Sequence, residues 1–261
     1  MLRGFMIAFA LTSVFAVIQP ASADTDYDKL NGIHTIGVIS LLGNELNDPD
    51  QKSVSVTERE TRRAMGEFFD QRIRDYVIKA IGNRFVVKDL GGSIFSDLRG
   101  SQWRSEWAKV GDRLHDTPLK PDVDAVVVVY VDEVSAILSP PGLGAFNEKH
   151  MLFGKDVTDV EATYGVGVYN AKTGDRIDYG TGRWPAHGNL TGYAPPIEIC
   201  DGFMSSESGD QPGSDRISQE LWSLLTRSLP YALLNSGLIS KQDSDALVTS
   251  ASPADPSCHV P

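Results

Sequence analysis

Cysteine is scarce in this chain: Cys200 and Cys258 are the only two among 261 residues. That excludes a disulfide-dense scaffold and a thiolate-rich zinc site, and no Cys-x-x-Cys spacing exists for thiol exchange. The histidines His34, His115, His150, His187 and His259 are scattered. No two stand at helical ligand spacing and no His-Glu-x-x-His occurs, so no metal motif is present. Bases are outnumbered, 24 Lys and Arg against 35 Asp and Glu, for a formal net charge of −11. Such a chain gains nothing from counterion release on nucleic acid and has no polybasic grip on anionic lipid. Catalytic signatures are missing as well: there is no Gly-x-Ser-x-Gly elbow and no Ser-x-x-Lys. Gly142-Leu143-Gly144 lacks a third glycine, and Gly165-Val166-Gly167 sits inside a strand pattern. Neither aims a helix N-terminus at phosphate. Asn47, Asp48 and Asp50 lack the spacing of a calcium loop and read as a solvated turn. No cofactor and no metal are expected.

What is present begins with an address. Met1-Leu2-Arg3 supplies a positive start, Phe5 to Ile18 is almost wholly apolar, and Ala21-Ser22-Ala23 has the small-x-small form of a cleavage site. Residues 1–23 therefore read as a signal peptide, with a mature chain from Asp24 that is periplasmic or secreted. The apolar run is shorter than the roughly 20 residues a membrane span needs, and no later run is longer, so no span is expected after cleavage. Export exposes the two cysteines to an oxidising compartment. A Cys200–Cys258 disulfide would close a loop of nearly sixty residues and stabilise by about 4 kcal/mol in the chain-entropy picture. Two unpaired thiols are the alternative.

Along the mature chain, His34–Leu42 is β-branched and bounded by glycines, which predicts a buried strand. Asn44–Lys52 reads as a loop, and Ser53–Val56 fits an edge strand. Thr57 and Glu60 have capping-box spacing, which predicts a helix to Ile81 carrying Met65, Phe69, Ile73, Tyr76, Val77 and Ala80 on one face. Gly82-Asn83 supplies a left-handed stop. Arg84–Leu90 predicts a second strand, and Ser101–His115 a second helix with Trp103, Trp107, Val110 and Leu114 in one stripe. A stripe of that kind packs a core more often than it forms a ligand platform. Asp124–Asp132 is an unbroken Val run, the mark of a central strand covered on both faces. Ser139–Gly144 reads as a break, and 162–170 with 176–183 as a hairpin about Lys172-Thr173-Gly174. Trp184–Gly213 reads as a long surface loop. Ser214 caps a last helix, Pro230 kinks or splits it, and Gly237 ends it. Strands alternating with helices and then a hairpin predict one α/β domain over 24–249, bordering on α+β. It is a sandwich with a mixed sheet and helices packed on it, followed by a tail, 250–261, pinned by Cys258.

This element order resembles a group of exported envelope domains. They are the TolB N-terminal domain, the curli-secretion lipoprotein and the lipoprotein activators of penicillin-binding proteins. The residues that carry the likeness are Ile36-Gly37-Val38-Ile39-Ser40-Leu41-Leu42-Gly43, Phe85-Val86-Val87 and Asp124-Ala125-Val126-Val127-Val128-Val129. The likeness spans about half of the mature chain and is a pattern of elements. It implies a domain that binds other envelope proteins rather than one that catalyses, and it assigns no residue a role. The anchoring cysteine of several such lipoproteins is absent, with Asp24 at the expected cut.

Candidate binding residues fall in two places. Asp132 and Glu133 follow the central strand, where ligands of open α/β sheets bind. Carboxylates flanking a buried strand also simply mark where water begins. Arg183, Trp184 and His187 stand at the mouth of the long loop, and Arg and Trp are favoured interface anchors. An Arg stem packed on Trp is the plainer alternative. The leading expectation is a non-enzymatic module that binds another envelope or secreted protein through Pro140–Lys149 and Trp184–Gly213. The alternatives are a hydrolase using Asp132, Glu133 and His187, or a small-ligand carrier with an enclosed pocket poor in ionisable groups. N-terminal sequencing and intact mass of the exported protein test the address and the bridge together. The expected result is a chain that starts at Asp24 and is two hydrogens lighter than its reduced mass.

Overall fold

Strand β1 (Thr35–Ser40) reads Thr-Ile-Gly-Val-Ile-Ser, with all but Thr35 buried. It lies between two parallel partners, β4 (Val86–Asp89) and β5 (Ala125–Val131), with Ile36 opposite both Val87 and Ala125. β5 reads Ala-Val-Val-Val-Val-Tyr-Val and is buried throughout. Its side chains divide by parity. Ala125, Val127, Val129 and Val131 enter one core, while Val126, Val128 and Tyr130 enter another on the opposite face. A strand covered on both faces has no wet side, so nothing polar interrupts the run. The computed structural model describes residues 27–43, 45–49, 60–64, 69–91, 95, 106–116, 122–131, 142–148, 157–181, 197–200 and 212–251.

Two helices supply the two covers. α1 (Phe69–Ile81) buries Phe69, Ile73, Val77 and Ile81, one residue per turn, and packs on β1 and β4. α2 (Glu106–Asp116) sends Val110 and Leu114 into the other core, beside Ile39 and Val126. The step from β1 to β4 and the step back from β4 to β5 run in opposite directions. Crossovers of one hand must then lie on opposite faces. α3 (Pro212–Asn235) joins α1 on the first face and packs on β7 (Val157–Asn170) and β8 (Arg176–Thr181). α4 (Lys241–Ser250) packs on α3, started by a reciprocal capping box between Ser240 and Asp243. No described helix is long and apolar enough to cross a membrane.

β7 is the spine of the sheet. At 14 residues it runs roughly 45 Å. Its C-terminal half pairs antiparallel with β5 on one edge and β8 on the other. Its N-terminal half pairs with β6 (Gly142–Glu148) and β9 (Ile197–Cys200). Beyond β6 lie β2 (Glu45–Pro49), parallel to it, and β3 (Glu60–Ala64), antiparallel to β2. Among the described residues the result is a nine-stranded mixed sheet with helices on both faces of the β4-β1-β5-β7-β8 half, an α/β architecture.

Several expectations are corrected. Asn44–Lys52 contains β2 rather than only a loop. The helix expected from Thr57 begins at Phe69, and Glu60 starts β3, so its capping-box spacing starts no helix there. Glu-Leu-Asn-Asp-Pro and Glu-Thr-Arg-Arg-Ala carry no apolar alternation; they are strands because β2 finds backbone partners in β3 and β6, and β3 finds one in β2. Gly82 of the expected Gly82-Asn83 stop is absent from the positive-φ glycines, and the turn after α1 carries Phe85 N–H to Ile81 C=O at 3.1 Å. The break expected at Ser139–Gly144 ends at Gly142, where β6 begins. The expected loop Trp184–Gly213 holds β9, and α3 already runs from Pro212, so Ser214 lies within the helix. Pro230 does not split α3. Ser53–Val56 and Trp103 lie outside the described residues.

One carboxylate ties three strands together at their common end. Asp124 accepts the His34 and Thr35 N–H groups, each at 2.9 Å, and its own C=O accepts Ala171 N–H at 3.1 Å. The Thr35 and His34 amides hold its carboxyl below the usual carboxylate range. A depressed folded-state value means that the charged form stabilises the fold above the unfolded value, about 3.9. That contribution is lost as pH falls through the folded value. Urea midpoints measured from pH 7 to pH 3 are expected to fall more steeply for the native chain than for Asp124→Ala, with the two converging in acid.

Candidate functional site

Strand register brings distant segments to one level of β7. On one edge Val131, the last residue of β5, lies opposite Tyr164, and Gly142, the first of β6, lies opposite Thr163. The chain thus leaves the β7 edge after Val131 and rejoins it one residue further along. On the other edge β8 ends with Thr181 opposite Gly165, and β9 pairs from Ile197 opposite Val160. β1 ends at Ser40 and β2 begins at Glu45 in line with these breaks. Three columns of the sheet are therefore interrupted at one waist. Asp132 and Glu133 follow Val131, and Arg183, Trp184 and His187 follow Thr181; all five lie outside the described residues. Their attachment points sit on the two edges of β7, about 10 Å apart at two strand spacings. The segment expected to bind as Pro140–Lys149 contains β6 over 142–148.

The β1 side of the waist is held by a buried carboxylate. Asp70, in the first turn of α1 and 2 % exposed, accepts Ser40 Oγ–H at 2.6 Å and Gly43 N–H at 3.0 Å. Gly43 has φ 85°, which lets the chain turn out of β1 without a Cβ clash. On β7, Tyr164 shares a buried hydrogen bond with Ser228 of α3, whose hydroxyl also donates to Leu224 C=O at 2.9 Å. Burial pushes the Tyr164 phenol well above its usual range, so it stays neutral. Asp70, Tyr164 and Ser228 are all buried.

A second feature lies at the other end of β7. The turn after β7 touches α2 backbone to backbone: a Cβ on Gly174 would lie 2.2 Å from Gly111 C=O, and Gly174 has φ 75°. Between them opens a cleft of about 590 Å³ lined by Gly111, Asp112 and His115 of α2, Tyr169, and the turn residues through Arg176. Tyr169, Tyr130 and Tyr179 cover the same sheet face. A Cβ on Gly167 would lie 2.6 Å from the Tyr169 ring, and one on Gly165 would lie 2.5 Å from the Tyr179 ring. Tyr130 and Tyr179 stack with centroids 6.2 Å apart at 27°. The strand glycines thus give the tyrosines their seats. Burial pushes the Tyr169 phenol up to about 12 and that of Tyr130 further. The sequence shows the glycines and the tyrosines, but their meeting needs the β5-β7-β8 register.

The remaining candidates separate. Val110 and Leu114 of the second helical stripe are core, and Trp107 stands on α2. Cys200 ends β9 opposite Val157, while Cys258 lies outside the described residues. Of the histidines, His34 and His115 are described and both are exposed. No cluster of three or more His, Cys, Asp or Glu side chains that would hold a metal ion occurs among the described residues. No protein-family model matches this chain, and no curated protein matches it. Because Asp70 satisfies two buried donors, Asp70→Ala is expected to destabilise the fold by about 3 kcal/mol, read as a lowered urea midpoint with unchanged slope.

Proposed function

We propose that this chain is an exported, non-enzymatic binding module that engages another envelope or secreted protein through the segments leaving the waist of its sheet. The observation that carries the reading is the register on β7. The excursions 132–141 and 182–196 depart from its two edges at adjacent residues, Tyr164 and Gly165. Segments that start from one level of a sheet start close together, and scaffolds present binding residues from such common roots. Asp132 and Glu133 root in the first, and Arg183, Trp184 and His187 in the second. Arg and Trp are the side chains on which protein interfaces concentrate their energy. The leader-like residues 1–23 support an encounter outside the cytoplasm. The envelope-domain resemblance agrees with a binding role.

In-cell cross-linking of a C-terminally tagged chain, followed by mass spectrometry, tests the proposal. One envelope protein is expected to be enriched. Capture is expected to drop roughly 30-fold when Arg183 and Trp184 are both replaced by Ala, the scale of losing an interface anchor. Val86→Thr, on the outer strand β4, is expected to leave capture unchanged. Capture that is indifferent to Arg183 and Trp184, or no enriched partner at all, overturns it.

A further inference from the structure

β9 is a weakly secured strand. It has four residues and, among the described residues, pairs only with β7. Its register sets Glu198 directly opposite Asp159. Opposed residues of an antiparallel pair share a face, with Cβ atoms roughly 5 Å apart. Val160 and Ala162 of β7 belong to the first core, so strand alternation puts Asp159 and Glu161 on the second face. β6 adds Glu148 to that face, opposite Val157, and further out stand Glu45 of β2 and Glu60 of β3. The one base that the register of the described strands places there is Arg62 of β3, three strands away from β7. The second core, which α2 helps to cover, includes no residue of 157–163, β6 or β9.

Like charges directly opposite each other weaken strand pairing. A proton taken up by either carboxylate ends the repulsion, so such a pair holds a proton at a pH where a lone carboxyl has lost it. The docked strand then binds more protons than the released one, and docking strengthens as pH falls. β9 also closes the segment that carries the candidate anchors. Residues 182–196, with Arg183, Trp184 and His187, are rooted at Thr181 opposite Gly165 and again at Ile197 opposite Val160. Release of β9 removes the second root.

We propose that β9 is a pH-sensitive latch: the opposed Asp159 and Glu198 loosen it from β7 at neutral pH and let it close in mild acid, which fixes both ends of 182–196. The latch regulates the segment on which the protein-binding reading rests. It is measured on the chain alone, so a failed latch and a missing partner are separate results.

Hydrogen exchange of the full mature chain, read by mass spectrometry, tests this between pH 7.5 and pH 5.0, above the range in which Asp124 loses its charge. Protection factors remove the intrinsic pH dependence of exchange, and β1 serves as the reference for global opening. Protection of 197–200 relative to β1 is expected to rise at least twofold on acidification. Asp159→Asn and Glu198→Gln are each expected to raise protection at pH 7.5 and to flatten its pH dependence, since one neutral partner already ends the repulsion. A rise below twofold in the native chain overturns the latch. So does a native-like rise in either variant, which traces the pH effect to other groups.

Discussion

Hydrogen bonding along both edges of β7 is the constraint on which the other strands depend. Its fourteen residues present ladder groups on each side, and no neighbouring strand is long enough to occupy a whole edge. Each edge is therefore filled by two strands placed end to end, β5 with β6 and β8 with β9. Buried backbone groups must be paired, so the chain has to leave and rejoin at matching levels. The waist follows from that accounting, and so does the common origin of the excursions that carry the candidate binding residues.

Close packing onto this spine depends on where side chains are missing. On the first face α3 lies so near β8 that a Cβ on Gly180 would sit 2.1 Å from Ala232 C=O. On the second face Gly165 and Gly167 yield their space to tyrosine rings, and Gly111 and Gly174 let the β7–β8 turn touch α2. In each case backbone or ring atoms fill the volume that an alanine methyl would need, so the contacts set distances between layers rather than chain flexibility. The same closeness buries the Tyr130 and Tyr169 hydroxyls.

The elements legible in the sequence are those whose own burial dictates their composition. β1 and β5 are covered on both faces, so their apolar runs announce them. α1 buries one residue per turn, and the periodicity of Phe69, Ile73 and Val77 shows it. β2 and β3 carry no comparable signal, because a polar strand is defined by the backbone beside it. The capping-box spacing of Thr57 and Glu60 misleads for the same reason. A short local signal at Glu60 is overridden by pairing with Pro49, a partner eleven residues earlier in the chain.

Sequence alone determined the α/β class, the two-faced central strand, the β7–β8 hairpin and the residue types worth watching, since each rests on local composition and period. It singled out Asp132 and Glu133 in one segment and Arg183, Trp184 and His187 in another, with no means of relating the two. Only the tertiary structure decided that their roots share one level of β7, and that Tyr130, Tyr169 and Tyr179 meet over two glycines. Both facts live in register. Register is a property of pairs of strands, set by which edge each backbone fills, and a single strand's residues do not contain it.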